Sequence, residues 1–254
     1  MITINRIGEE NTNNFGSNII ITKYNNNKDI NVYFSEYDWT AEHIQYGHFK
    51  NGNIKCPYEP RHYGVGYKGE GLYKMSENGK NTKVYTTWNT MLERCYDYKL
   101  HHRYPTYTDC TVCDEWLNFQ NFAEWYEDNY YEIEGEKMNL DKDILVKNNK
   151  VYSPDTCVFV PHSINLLFIK RNVDRGDFPI GVYFDKKNNK YKAQCQIKNS
   201  VNKNLGRYNT PEEAFQAYKT FKENYIKQIA NQYIDLIPQS LYNAMINYEV
   251  EYDD

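Results

Sequence analysis

The chain has 254 residues, 40% hydrophobic and 16% aromatic, with 26 tyrosines, enough to build real cores, so the many asparagines do not make it a disordered chain. A net charge of -4 argues against a polyanionic partner, but the charge is unevenly placed: residues 1–135 carry 13 basic and 19 acidic side chains, residues 136–235 carry 17 and 11, and the tail adds four acids. No apolar run approaches the roughly 18 residues of a membrane span, and MITINRIGEE lacks the order of a secretory leader, so no membrane partner and a cytoplasmic location are expected.

In chain order, NIIITKY and DINVYF, joined by a turn at NNNK, read as a hairpin over 18–34. Further strands are expected around His43 to Phe49, making a small β-rich accessory domain of 1–63. GVGYKGEGLYKMSENG follows; it lacks phosphate-loop spacing, so 64–81 reads as a glycine-rich linker. Val84, Trp88, Met91, Leu92 and Cys95 share one face of a helix starting near Thr82. After HHRYPTYTDC, Trp116, Phe119, Phe122, Ala123 and Tyr126 mark a second helix. The central segment reads as a strand reaching Leu145, a polar loop, the strand CVFV and a helix with Pro161 in its first turn, where a missing N–H costs nothing.

The clearest unit spans 180–230. IGVYF, YKAQCQI and NLGRY read as three strands. Thr210 and Glu213 form a capping box before a helix whose apolar face is Ala214, Phe215, Ala217, Tyr218, Phe221 and Tyr225. In the middle strand Tyr191, Ala193, Cys195 and Ile197 alternate with Lys190, Lys192, Gln194, Gln196 and Lys198. One sheet face is thus covered by the helix, and the other is basic and amide-rich. Such a ribbon fits the DNA major groove, where glutamine and lysine read base edges; the bland alternative is a solvated polar face. With Lys170, Arg171, Arg175, Lys186 and Arg207, the stretch 162–210 holds ten basic and three acidic residues. A short helix around Pro238 to Tyr248 ends the chain before an acidic tail, in a segment of 236–254.

IGVYFDKKNNKYKAQCQI and KNLGRYNTPEEAFQAYKTFKENY resemble the Apetala2-type DNA-binding domain, here 173–235. The resemblance implies a three-stranded antiparallel sheet laid in the major groove and backed by a helix. The usual arginine-rich first strand is replaced by Gly181-Val182-Tyr183. The middle of the chain, 82–172, is similar to HNH endonucleases of phages and mobile introns. TTWNTMLERCY and YTDCTVCDEWLNFQNFAEW match the region before the nuclease core; NLDKDI, YSPDTCVFV and PHSIN match the core. The whole arrangement also looks like phage proteins carrying both modules, which implies the cytoplasm of a host cell.

These resemblances imply a modular α+β protein with a ββα-metal core. They also imply divalent-metal-dependent cleavage of double-stranded DNA. Asp141 and Asn165 take the metal-ligand positions, and hard oxygen ligands suit magnesium or manganese. Lys142 stands where the family has its catalytic histidine, and a lysine is a poor base unless burial lowers its pKa. Asp143 or His162 would then activate water, with Lys142 stabilising phosphate charge. Two adjacent readings are a DNA-binding protein with a decayed core and a phage factor acting on a host protein. Asp141 and Asp143, two apart, are expected on one side of a strand, though they also suit an ordinary acidic turn. Cys95, Cys110, Cys113 and Cys157 are either buried thiols or ligands of a structural zinc ion. Cys56 and Cys195 read as core residues.

Overall fold

Between Asn18 and Phe34 the chain is rich in β-branched residues, Ile19 to Thr22 in a run and then Ile30 and Val32, and the computed structural model turns this stretch into the centre of a four-stranded sheet. The structure describes residues 5–169, 178–197 and 201–252, and the chain divides into two units, Met1–Asp128 and Asn129–Asp254. Both mix small sheets with helices, an α+β fold. Among the described residues, no helix is long and apolar enough to cross a membrane.

In the first unit, β1 (Glu10–Thr12), β2 (Asn18–Asn26), β3 (Asp29–Phe34) and β4 (Trp39–Ile44) form an antiparallel meander. Ile19, Ile21, Ile30, Val32 and Phe34 form its core with Ala41, Phe49, Ile54 and Cys56. The strand expected to run on to Phe49 is instead the helix α1 (Tyr46–Lys50). His43 adopts a φ of 57° at an irregularity inside β4, the strand resumes at Ile44 opposite Ile30, and the helical turn after it brings Phe49 onto the sheet core.

A two-stranded ribbon, β5 (Ser76–Glu77) and β6 (Lys80–Asn81), leads to α2 (Lys83–Tyr96), whose first turn is capped where Thr82 accepts from the Tyr85 amide. Then come α3 (Tyr98–Arg103), a 3₁₀ turn at Pro105–Tyr107, β7 (Thr111–Val112), α4 (Asp114–Leu117) and α5 (Phe119–Asn129). The one helix expected over 116–126 is two, broken at Asn118, whose side-chain oxygen accepts from the Gln120 amide at 3.0 Å. Trp88 donates to the Trp116 carbonyl at 2.7 Å and packs on Phe119 with ring centroids 5.4 Å apart. The glycine-rich stretch is packed rather than slack. A Cβ on Gly66 would lie 2.4 Å from Leu92 and 3.0 Å from Trp88, so only a glycine permits that approach.

The second unit contains β8 (Met138–Asp141), β9 (Val151–Tyr152), β10 (Val158–Pro161), α6 (His162–Asn165) and a 3₁₀ turn at Leu166–Phe168. Next are β11 (Val182–Asp185), β12 (Lys190–Ile197), β13 (Val201–Tyr208), α7 (Pro211–Gln232) and α8 (Gln239–Ile246). β8 and β10 pair antiparallel, with Asp141 opposite Val158. β8 stops at Asp141, short of the expected Leu145, because the Asp141 carboxylate captures the amides of Asp143 and Ile144 and turns the chain. Pro161 closes β10 and caps α6 from outside its first turn.

The three-stranded sheet runs β11-β12-β13, antiparallel throughout, with an irregularity after Ala193. The expected capping box at α7 is present: Thr210 accepts from the Glu213 amide at 3.2 Å, and the Glu213 carboxylate reaches back to the Asn209 amide at 3.0 Å. α7 serves two cores. Ala214, Phe215 and Tyr218 pack on Val182, Ala193 and Cys195. Two to four turns on, Ile226 and Ala230 join Val158, Val160, Ile164, Leu241 and Met245. Within the second unit, the β8–β10 strand pair with α6 and the three-stranded sheet therefore both pack against α7.

Candidate nucleic-acid interface and metal centre

The register of β11, β12 and β13 decides which side chains share the open face, since directly paired residues lie on one side of a sheet. Lys192 is opposite both Tyr183 and Arg207, Gln194 is opposite Asn204, and Gln196 is opposite Asn202. The open face therefore carries two rows of amide pairs and a Tyr183-Lys192-Arg207 row, closed at one end by Asp185 and Lys190. The Lys192 ammonium lies 5.2 Å from the Tyr183 ring centroid. The Tyr183 hydroxyl donates to the Gln194 carbonyl oxygen at 2.6 Å, so the Gln194 amide N–H groups remain available. Lys203 is opposite Cys195 on the helix side, its ammonium over the Phe221 ring.

Arg207 is already committed. Its Nε donates to Asp185 at 2.7 Å, and this bond, with that from Asn188, holds the Asp185 carboxyl down to about 2. Lys186 is exposed in the β11–β12 turn. Lys170, Arg171, Arg175 and Lys198 lie outside the described residues. Asn202, Asn204 and Tyr183 belong to this face and were missed in the sequence. The alternation of Asn202 and Asn204 is their signal, legible once the third strand is begun at Val201.

At the end of β8, the half-buried Asp141 accepts through one oxygen from the Asp143 amide at 2.9 Å and the Ile144 amide at 2.8 Å. The Asp141 carboxyl also has a side-chain interaction with the Asp143 carboxyl. Burial, and then the like charge of Asp143, push the Asp141 carboxyl up to about 6. Asn165 ends α6, which packs on β8 and β10, and its half-buried side chain makes no hydrogen bond among the described residues. Asp141 lies opposite Val158, whereas α6 leaves β10 at Pro161, opposite Met138 at the other end of the strand pair.

Asp143 lies beyond the strand, so it does not share a strand face with Asp141 as expected. Lys142 is buried; its ammonium donates to Asp143 at 3.0 Å and to the Asn149 carbonyl at 3.1 Å, and lies 5.8 Å from the Tyr152 ring centroid. His162 is exposed, with Nδ1 at 3.0 Å from the Asn139 amide nitrogen.

All six cysteines are free thiols, and Cys95, Cys110 and Cys157 are buried. Cys110 donates to the Thr106 carbonyl at 3.7 Å, and burial pushes the Cys113 thiol up. Among the described residues, no three His, Cys, Asp or Glu side chains come together as a metal ion would need, so the four cysteines are not gathered as a zinc site requires. Asp141 with Asn165 is a smaller set, one carboxylate and one amide. No family model, curated protein or solved structure matches this chain.

Proposed function

We propose that the protein binds double-stranded DNA through the open face of β11, β12 and β13 and cleaves it with a magnesium or manganese ion held by Asp141 and Asn165. The observation that carries the binding half is the paired rows Gln194–Asn204 and Gln196–Asn202 beside Lys190 and Lys192, on the face that α7 leaves uncovered. Amides and ammonium groups in that pattern suit base edges and phosphates. The cutting half is supported by the raised Asp141 carboxyl and the unengaged Asn165 amide. A divalent cation there would neutralise charge on the scissile phosphate. Asp143, exposed and 3.0 Å from the Lys142 ammonium, would orient or deprotonate water in this reading.

One observation favours a second reading, a DNA-binding protein without activity. Lys142 replaces the histidine that the HNH resemblance implies, and its ammonium is tied into the 142–151 loop. Supercoiled plasmid with magnesium or manganese separates the two. Nicked or linear product from the wild type, lost in Asp141→Ala while mobility-shift affinity is kept, supports the nuclease. Shifted but uncut plasmid with both metals leaves the binding protein.

A further inference from the structure

In the second unit, a cavity of about 670 Å³ opens between α7, the start of β11 and the turn after α6. Leu166, Ile180 and Ile229 make apolar walls, and Gln196 supplies an amide. On the wall formed by α7 is Lys222, which is only 9% exposed. Among the described residues it has no hydrogen bond and no ion pair. Its close titratable neighbour is Cys195, a thiol that burial keeps protonated and which therefore supplies no counter-charge. The Glu136 carboxylate, also on the cavity wall, is engaged by Ser163 at 2.7 Å and by Tyr233 at 2.9 Å. Burial accordingly holds the Lys222 amine below its usual range.

An uncompensated ammonium in an apolar wall is costly, and a lysine there is normally paired. The volume lies within the range of small-molecule sites, which are mostly apolar with a few polar groups fixing orientation. We propose that this cavity is a binding site for a small organic monocarboxylate, its flat apolar body against Leu166, Ile180 and Ile229 and its carboxylate on the Lys222 ammonium. One ammonium matches one anionic head; the other basic side chain on the walls among the described residues, His162, is exposed and bonded to Asn139. The inference does not depend on the DNA reading, because neither the ligand nor its test involves DNA.

The probe is 2-naphthoate, with 2-naphthamide as its uncharged isostere, titrated into the full-length protein by calorimetry. Expected are naphthoate binding at least about tenfold tighter than naphthamide binding, and methyl shifts at Leu166, Ile180 and Ile229 on naphthoate addition. Lys222→Met should remove the preference for the acid while melting at or above the wild-type temperature, since it replaces a buried unpaired charge by an apolar chain of similar length. Equal affinity for acid and amide, no binding of the acid, shifts confined to other methyls, or an undiminished preference in a folded Lys222→Met protein would overturn the proposal. The wild-type comparison and the shift map decide the matter even if the variant does not fold.

Discussion

Lys142 and Asn149 hold each other: the Lys142 ammonium donates to the Asn149 carbonyl at 3.1 Å, and the Asn149 side chain donates to the Lys142 carbonyl at 2.7 Å. The same Asn149 amide also reaches the Val151 carbonyl at 2.6 Å. The pair closes the loop leaving β8 and keeps the end of that strand in place. Asn149→Ala should lower stability by about 2 kcal/mol, the cost of stranding partly buried carbonyls, in a urea melt of the full chain. Lys142→His should also destabilise, because an imidazole is too short to replace the ammonium at Asn149. Restoring the histidine that the resemblance implies therefore works against the local fold, and a melt unchanged by either substitution would remove Lys142 from its structural role.

Gly181 is the tightest packing point of the second unit. Its φ is 75°, and an added Cβ would lie 2.0 Å from the Tyr218 ring. Gly181→Ala should cost about 3 kcal/mol or more, from the strained backbone and the displaced ring together. Phe215→Ala, which opens a cavity in the same core, should cost about 3 kcal/mol by a different route. Thermal melts followed by tyrosine fluorescence would rank both against the wild type.

The Asp185–Arg207 pair predicts a gain of function. Asp185→Asn removes an anion from the open face and releases the Arg207 guanidinium, which now lies 2.7 Å from that carboxylate. DNA affinity at low salt should rise severalfold. If Arg207 takes up a phosphate, the salt dependence should steepen by about one unit in the log–log slope. Lys192→Gln with Gln194→Ala should do the opposite, and Arg207→Gln should cost less than Lys192→Gln. Mobility shifts across a salt series distinguish these outcomes.

The same pair gives an acid limb to stability. The Asp185 carboxyl is held at about 2, below the ordinary 3.8. Its folded pKa is depressed, so its stabilisation is present above the unfolded value and lost as pH falls from about 4 towards 2. Arg207→Gln should therefore lower the melting temperature slightly at neutral pH, the pair lying at the surface, and converge on the wild type as pH falls towards 2, which flattens the loss over that window. An identical acid limb in both proteins would show that other carboxylates govern it.

Much of this architecture was legible from periodicity. The alternation in Tyr191–Ile197 and the spacing of Ala214, Phe215 and Tyr218 are local facts of the sequence. They set which face α7 covers, because side chains repeat every two residues in a strand and every 3.6 in a helix. The Thr210–Glu213 cap is equally local. Other features required the folded chain. No periodicity says that Asp141 turns back on the amides of Asp143 and Ile144 and ends β8, or that the chain after Ile44 turns into α1 rather than running on as a strand. That Arg207 is neutralised by Asp185 depends on two strands that do not neighbour each other in the sheet. That one helix, α7, serves two cores, and carries Lys222 buried and unpaired among the described residues, depends on side chains as far apart in sequence as Ile144 and Ala230. The sequence determined the elements and their faces, since those follow from neighbours along the chain. The tertiary structure decided which charges are matched and which are left over, because pairing and desolvation are set by groups that only folding brings together.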